Sequence, residues 1–258
     1  MHRTIWPLAL ILIPVLALTA CAPAPLPPDP AAQASDLTVD QVLARHVAAR
    51  GGEQRLAGIQ SVRMTGKLVF AGTATNPLIV SIAPGRYLRR LELGSGAVIK
   101  AVDGPTSWEI GPQSGIFRPT RMVNEDAARF RHLADPQGAL VNPQAKGNKV
   151  EVVGKLPWQG SQVYKLKVTF PDGQVNHFYL DAKTFLPVRT VSTIYLPQID
   201  RETGLEILYE DFRDVGGVKW PFKETFTAPA ARIKQITSWD KIEVNPPLDQ
   251  TAFKEPLI

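Results

Sequence analysis

The chain has a single cysteine, Cys21. No intramolecular disulfide can form, and no thiolate cluster can hold a metal or run redox chemistry. Histidine is almost as scarce. His2, His46, His132 and His177 show no His-Glu-x-x-His spacing, which excludes the common zinc-hydrolase arrangement. There is no Gly-x-Ser-x-Gly elbow and no glycine loop that could cradle a phosphate. Glu210 and Asp211 adjoin Asp214, but neighbouring strand residues point to opposite faces, so they do not make a paired-carboxylate site. With no catalytic constellation, neither an enzyme nor a metal nor a cofactor is expected. No period of about 20 to 50 residues repeats, and no apolar run reaches the roughly 20 residues of a membrane-crossing helix.

What is present is enough for a packed body. Of the 258 residues, 44% are hydrophobic and 21% charged, a balance that favours a globular core over disorder. The formal net charge is +5, with a pI near 9.3. The basic residues are spread along the chain. They suit a solvated mixed surface, or a body lying near anionic lipid; no nucleic-acid partner is expected, and a monomer is.

The first 20 residues read as an export signal. His2 and Arg3 make a basic start, and Ile5 to Leu18 is nearly all apolar, too short to span a bilayer but long enough for a signal core. The run ends in Leu18-Thr19-Ala20-Cys21, which resembles the bacterial lipobox. That resemblance implies that Cys21 becomes the first mature residue and is acylated on its sulfur and its amine, an anchor of several acyl chains rather than one marginal chain. The chemistry uses a thiol because its thiolate is the strong nucleophile. Ala22, where an acidic residue would imply retention at the inner membrane, implies the periplasmic face of the outer membrane. Residues 21–36 form a Pro/Ala-rich stretch, expected to be a polyproline II tether of about 3.1 Å per residue. Residues 37–258 form the body.

Thr38-x-x-Gln41 is a capping box opening a helix that Gly51-Gly52 stops. A short second turn follows over 53–57. His46 lies on the apolar face of the first helix and reads as a core residue. From Val62 the apolar period becomes two. Strands are expected near 62–70, 78–82, 87–93, 97–102 and 106–110, with Asp103-Gly104 as a hairpin turn. Gly111 to Met122, holding Pro112 and Pro119, is expected to be irregular. Asn124 can cap a helix running to about Ala134, with a second short helical piece near 137–141. Strands resume at 149–153, 164–170, 175–180, 187–196, 205–213, 218–227 and 232–244. The fold class is mainly β with a minor α part (α+β): about eleven antiparallel strands in one large curved sheet, an unclosed β-barrel lidded by short helices.

A sheet of that size curls, and its concave face is apolar. Two short helical segments leave part of it to be filled, so a cavity for an apolar ligand is expected. Met64, Leu68, Phe70, Trp108, Phe117, Phe130, Leu166, Phe178, Trp220 and Phe226 are the candidate lining residues; any one of them alone reads sooner as ordinary core, and a cavity follows only from them collectively, from a large sheet and few helices. Gly115-Ile116-Phe117 is the candidate loop for membrane contact.

Several segments resemble one known family. These are Leu43-x-x-His46 to Gly51-Gly52 with Leu56-x-x-Ile59-x-Ser61-Val62-x-Met64-x-Gly66; Tyr179-Leu180-Asp181-x-Lys183-Thr184-x-Leu186-Pro187-x-Arg189; Tyr209 to Val218 with Pro221; and Ile242-x-Val244-Asn245 with Leu248-Asp249-x-x-Phe253-x-x-Pro256. Together they are similar to LolA/LolB-like outer-membrane lipoprotein-sorting domains over about residues 40 to 256. The resemblance implies an unclosed barrel that holds acyl chains of lipoproteins under a helical lid, and a lipidated chain of this kind is similar to the receptor branch. The expected function is therefore binding of a lipid or lipoprotein acyl chain at the outer membrane, in lipoprotein sorting or lipid transport. A non-enzymatic interaction or envelope-sensor module on the same fold is the alternative.

Overall fold

The computed structural model describes residues 25–70, 75–122, 124–196 and 201–256. The signal segment, Cys21 and Ala22 lie outside the described residues.

Helix α1 (Val39–Arg50) begins at Thr38, whose hydroxyl accepts from the Gln41 amide while the Gln41 side chain accepts from the Thr38 amide. It ends at Gly51, at φ 134°, a conformation that side-chain-bearing residues rarely adopt. A Cβ there would lie 2.2 Å from the Gly217 carbonyl, so the glycine also permits close docking. Helix α2 (Glu53–Ala57) follows.

Among the described residues, thirteen antiparallel strands make one sheet. They are β1 (Val62–Phe70), β2 (Thr75–Ala83), β3 (Arg86–Leu93), β4 (Gly96–Asp103), β5 (Thr106–Gly111), β6 (Ile116–Arg121), β7 (Lys149–Trp158), β8 (Ser161–Thr169), β9 (Val175–Asp181), β10 (Pro187–Leu196), β11 (Arg201–Val215), β12 (Val218–Ala228) and β13 (Ile233–Val244). The expected architecture holds, with more strands than eleven. Residues 116–121, expected to be irregular, form β6. It is an edge strand, where the missing N–H of Pro119 is tolerated.

The order β6-β5-β4-β3-β2-β1-β13-β12-β11-β10-β9-β8-β7 puts the first and last strands side by side at the centre. The free edges are β6 and β7, consecutive in sequence. The segment joining them holds helix α3 (Asn124–Leu133), which packs on β3, β4 and β10. The connection between the open edges is thus itself the lid. No helix forms over 137–141; that segment makes turns, yet Leu140 and Val141 are still buried.

Two cores lie on the concave side. One joins Leu56, Ile59, Tyr87, Val102, Met122, Ala127, Phe130, Trp220 and Trp239. The other packs Val42 and Leu43 of α1 with Leu140, Tyr164, Leu166, Phe170, Leu180 and Phe185.

The Pro-rich stretch departs from the expected free spacer. From residue 25 it lies as a strap on the convex face. Leu26 lies over Gly204, whose added Cβ would meet the leucine at 2.6 Å. Asp29 bonds Lys165, Tyr179 and Arg189. Gln33 exchanges both backbone hydrogen bonds with Lys155 on the β7 edge, partly capping an exposed strand. Proline content favours extension but does not prevent docking when residues between the prolines find partners.

Candidate functional site

Cross-strand partners share a face of a sheet. Registers place Phe70, Gln235, Phe226, Ile207, Thr190, Phe178 and Leu166 in one transverse row across β1, β13, β12, β11, β10, β9 and β8. Phe70 and Phe178 pack at the margins of the two cores, and Leu166 is inside the second. The concave face is therefore this row. Its middle part, Gln235, Phe226 and Ile207, keeps accessible surface and belongs to neither core.

The adjacent row, Leu68, Thr237, Glu224 and Tyr209, carries polar groups inward. Glu224 and Tyr209 are enclosed by protein yet keep accessible surface, the signature of groups lining a hollow. Burial pushes the Glu224 carboxyl up, partly offset by the Trp239 Nε1–H donated to it at 3.3 Å. Burial also raises the Tyr209 phenol, and Glu224 adds to the effect. Beneath α3, Lys100 bridges Glu109 at 2.6 Å and Asp126 at 3.0 Å. Arg89 faces the same side without an ion pair among the described residues, and burial lowers its guanidinium. Asn176 Oδ1 and Trp220 Nε1 are buried without a hydrogen-bond partner. Buried polar atoms are normally paired, so these two mark unmet bonding capacity on the concave face.

The predicted residues divide. Phe70, Phe178, Phe226 and Leu166 share the row, and Leu68 lies in the next one. Met64, Phe130 and Trp220 belong to the first core or its margin. Phe130 fills the bowl from α3, against Tyr87 at 5.4 Å. Two candidates are displaced. Trp108 pairs with Ala101, which pairs with Leu88, on the convex face; it is 2% exposed and donates to the Phe253 carbonyl at 2.8 Å. Apolar character placed it inside correctly, but the face it uses is covered by the C-terminal tail. Phe117 is 75% exposed on the edge strand and lines no hollow. Ile207, Thr190, Gln235, Tyr209 and Glu224 are lining residues absent from that set. Alternation along β12 would have found Glu224, midway between the inward Phe222 and Phe226.

His46 is a core residue: its Nδ1 lies 2.9 Å from the Phe185 carbonyl, and burial, then Arg50, lowers its pKa to about 4. Among the described residues no group of three or more His, Cys, Asp or Glu is placed to hold a metal. No described helix is long and apolar enough to cross a membrane. A 520 Å³ cavity lies on the convex face between Arg63, Ile79, Leu88 and Phe253, and one of 360 Å³ lies beside α3 between His132, Asp135 and Phe170.

A large open antiparallel sheet, lidded by the connection between its free edges, is an unclosed half-barrel. Solved structures share it. A LolA superfamily protein of Nitrosomonas europaea superposes with a TM-score of 0.55 at 13% identity, over 84% of this chain and 98% of that one. A domain described as an outer-membrane lipoprotein-sorting protein, from Vibrio parahaemolyticus, gives 0.55 at 11% identity, over 84% and 95%. A DUF1329 family protein of Desulfovibrio piger gives 0.53 at 11%, over 84% and 97%. No family model and no curated protein matches the sequence.

Proposed function

We propose that this chain is an outer-membrane-anchored periplasmic lipoprotein that holds the acyl chain of a lipid or lipoprotein against the row Phe70–Phe226–Ile207, in lipoprotein sorting or lipid transport. The observation that carries the reading is that row: apolar side chains on the concave face that the chain's own helices leave partly accessible. Each methylene buried there contributes about 0.8 kcal/mol. The fold shared with LolA-superfamily structures supports the same reading. Acylation of Cys21 supplies the anchor, and no catalysis is proposed.

A second reading has its own support. Asn176 Oδ1 and Trp220 Nε1 are buried without a partner, and such groups suit the amides of a bound peptide better than hydrocarbon. On that reading the protein is a non-enzymatic interaction or sensor module. Native mass spectrometry of the gently extracted protein separates the two. A co-purifying mass equal to a fatty acid or phospholipid, lost in Phe226→Arg, supports acyl binding. A body that carries no lipid and does not take up a fluorescent fatty acid overturns it.

A further inference from the structure

The sheet has two rims. The lower one holds Gly51 of the α1 end against Gly217 of the β11–β12 turn, together with the Asp181–Thr184 turn. The upper one is formed by the far ends of the strands. It includes Phe70 at the end of β1, the Pro112–Ser114 turn before β6, the turn after Phe170, and the Pro229–Ala231 turn between β12 and β13. The accessible row lies near the upper rim: Phe70 is the last residue of β1, and Phe226 is near the end of β12.

The strap climbs toward this same rim. Gln33 pairs at the β7 edge, Asp29 binds across β8, β9 and β10, and Leu26 reaches Gly204 of β11, close to the Leu196–Arg201 pair of the β10–β11 hairpin. From Leu26 back to Cys21 the chain can reach at most roughly 18 Å when fully extended. An acylated Cys21 is therefore held within that distance of Leu26, which lies over Gly204 three residues from the upper end of β11, instead of at the end of a long free spacer.

The rim has the composition of a lipid-facing surface. Phe117 is 75% exposed there. Arg118, Lys149, Arg232 and Lys234 are exposed and make no ion pair among the described residues, against two exposed carboxylates with no lysine or arginine partner there, Glu202 and Asp172, the latter 2.9 Å from His132, whose pKa burial lowers. Apolar side chains and basic residues together favour an anionic bilayer surface.

We propose that the strap mounts the body in one orientation, with the upper rim, and so the accessible row that runs beside it, facing the bilayer. This rests on the acyl-anchor reading above. The test uses the mature acylated chain in vesicles of phosphatidylethanolamine and phosphatidylglycerol. Acylation blocks Cys21, so Phe117→Cys and, on the lower rim, Lys183→Cys each carry one environment-sensitive fluorophore. The expected result is a blue-shifted probe at 117, quenched by nitroxide lipids, and a water-like probe at 183. Equal signals, or the reverse pattern, overturn the proposal. Asp29→Asn, which keeps the side-chain shape, is expected to stay vesicle-bound while the difference between the two probes shrinks; an unchanged difference removes the strap from the explanation. The intact mass keeps the two readings apart. An unacylated Cys21 overturns the anchor and this orientation with it, whereas an acylated protein with its 117 probe in water overturns only the orientation.

Discussion

Asp29 Oδ1 lies 2.6 Å from Arg189 Nη1, tying the first described residues to β10. The guanidinium also bonds Glu206 at 2.6 Å and stacks on Trp158 and Tyr179, with ring centroids 4.3 and 4.6 Å away. Only 2% of Arg189 is exposed, because the strap covers it. Burial alone would raise the Asp29 carboxyl; hydrogen bonds from Lys165, Tyr179 and Arg189 outweigh it and hold it at about 2.

Asp29→Ala leaves Arg189 buried with one carboxylate fewer. Breaking a buried pair from one side costs on the order of 3 kcal/mol. The midpoint of urea unfolding should fall accordingly. Limited proteolysis should cut within residues 25–36 in the variant before it does in the parent.

Stability should decline on acidification in two steps. His46 titrates at about 4 in the fold against 6.5 in the free side chain. Above pH 6.5 both states are neutral and nothing is lost. As pH falls from 6.5 to 4 the unfolded chain takes up the proton first, removing up to about 3 kcal/mol. His46→Gln should flatten that part of the profile. Asp29 acts lower: its contribution is complete above about pH 4, its unfolded value, and is lost as pH falls through about 2. Urea titrations at stepped pH check both windows.

Phe130 and Phe117 should behave oppositely. Phe130, 3% exposed, fills the bowl beneath α3, and Phe130→Ala should cost about 3–5 kcal/mol. Phe117→Ser, on an exposed edge, should stay within roughly 0.5 kcal/mol of the parent. Thermal unfolding of the pair compares buried lid with exposed rim directly.

Phe226→Arg should weaken retention of a fluorescent fatty acid at least tenfold, about 1.4 kcal/mol or more, because a guanidinium in the row would meet hydrocarbon. Phe117→Ser should leave that affinity unchanged in detergent-free solution of the unacylated body. Loss in both, or in neither, would show that the fatty acid binds somewhere else.

Some of this was legible before any coordinates. The strand periods were plain wherever one face is buried, as in Tyr164 to Phe170, and the capping box at Thr38 and Gln41 forms as read. Several of the family-like segments are turn chemistry. Asn245 Oδ1 accepts from the Gln60 and Ser61 amides, Asp181 Oδ1 from those of Lys183 and Thr184, and Asp214 Oδ1 from Gly217. The two aspartates close local turns, Asn245 ties the last strand to residues 184 and 185 positions earlier, and none of these bonds says anything about a ligand. Pro119 hid β6, because an edge strand tolerates what a central strand does not.

The site itself was only half legible. Aromatic residues on strands were assigned to the hollow, yet Trp108 turns to the convex face under the C-terminal tail. Tyr209, Glu224 and Thr190 carry no such signal in sequence, because a polar side chain on a strand reads as solvent-facing.

By itself the sequence determined the class of fold, through alternating apolar residues and turn-forming side chains, both of which act over a few residues. The tertiary structure alone decided which face of each strand is inner. It also decided that β1 pairs with β13 and that a proline-rich leader is pinned to the sheet. Those outcomes come from partners more than a hundred residues apart, such as Asp29 and Arg189, whose meeting no local pattern encodes.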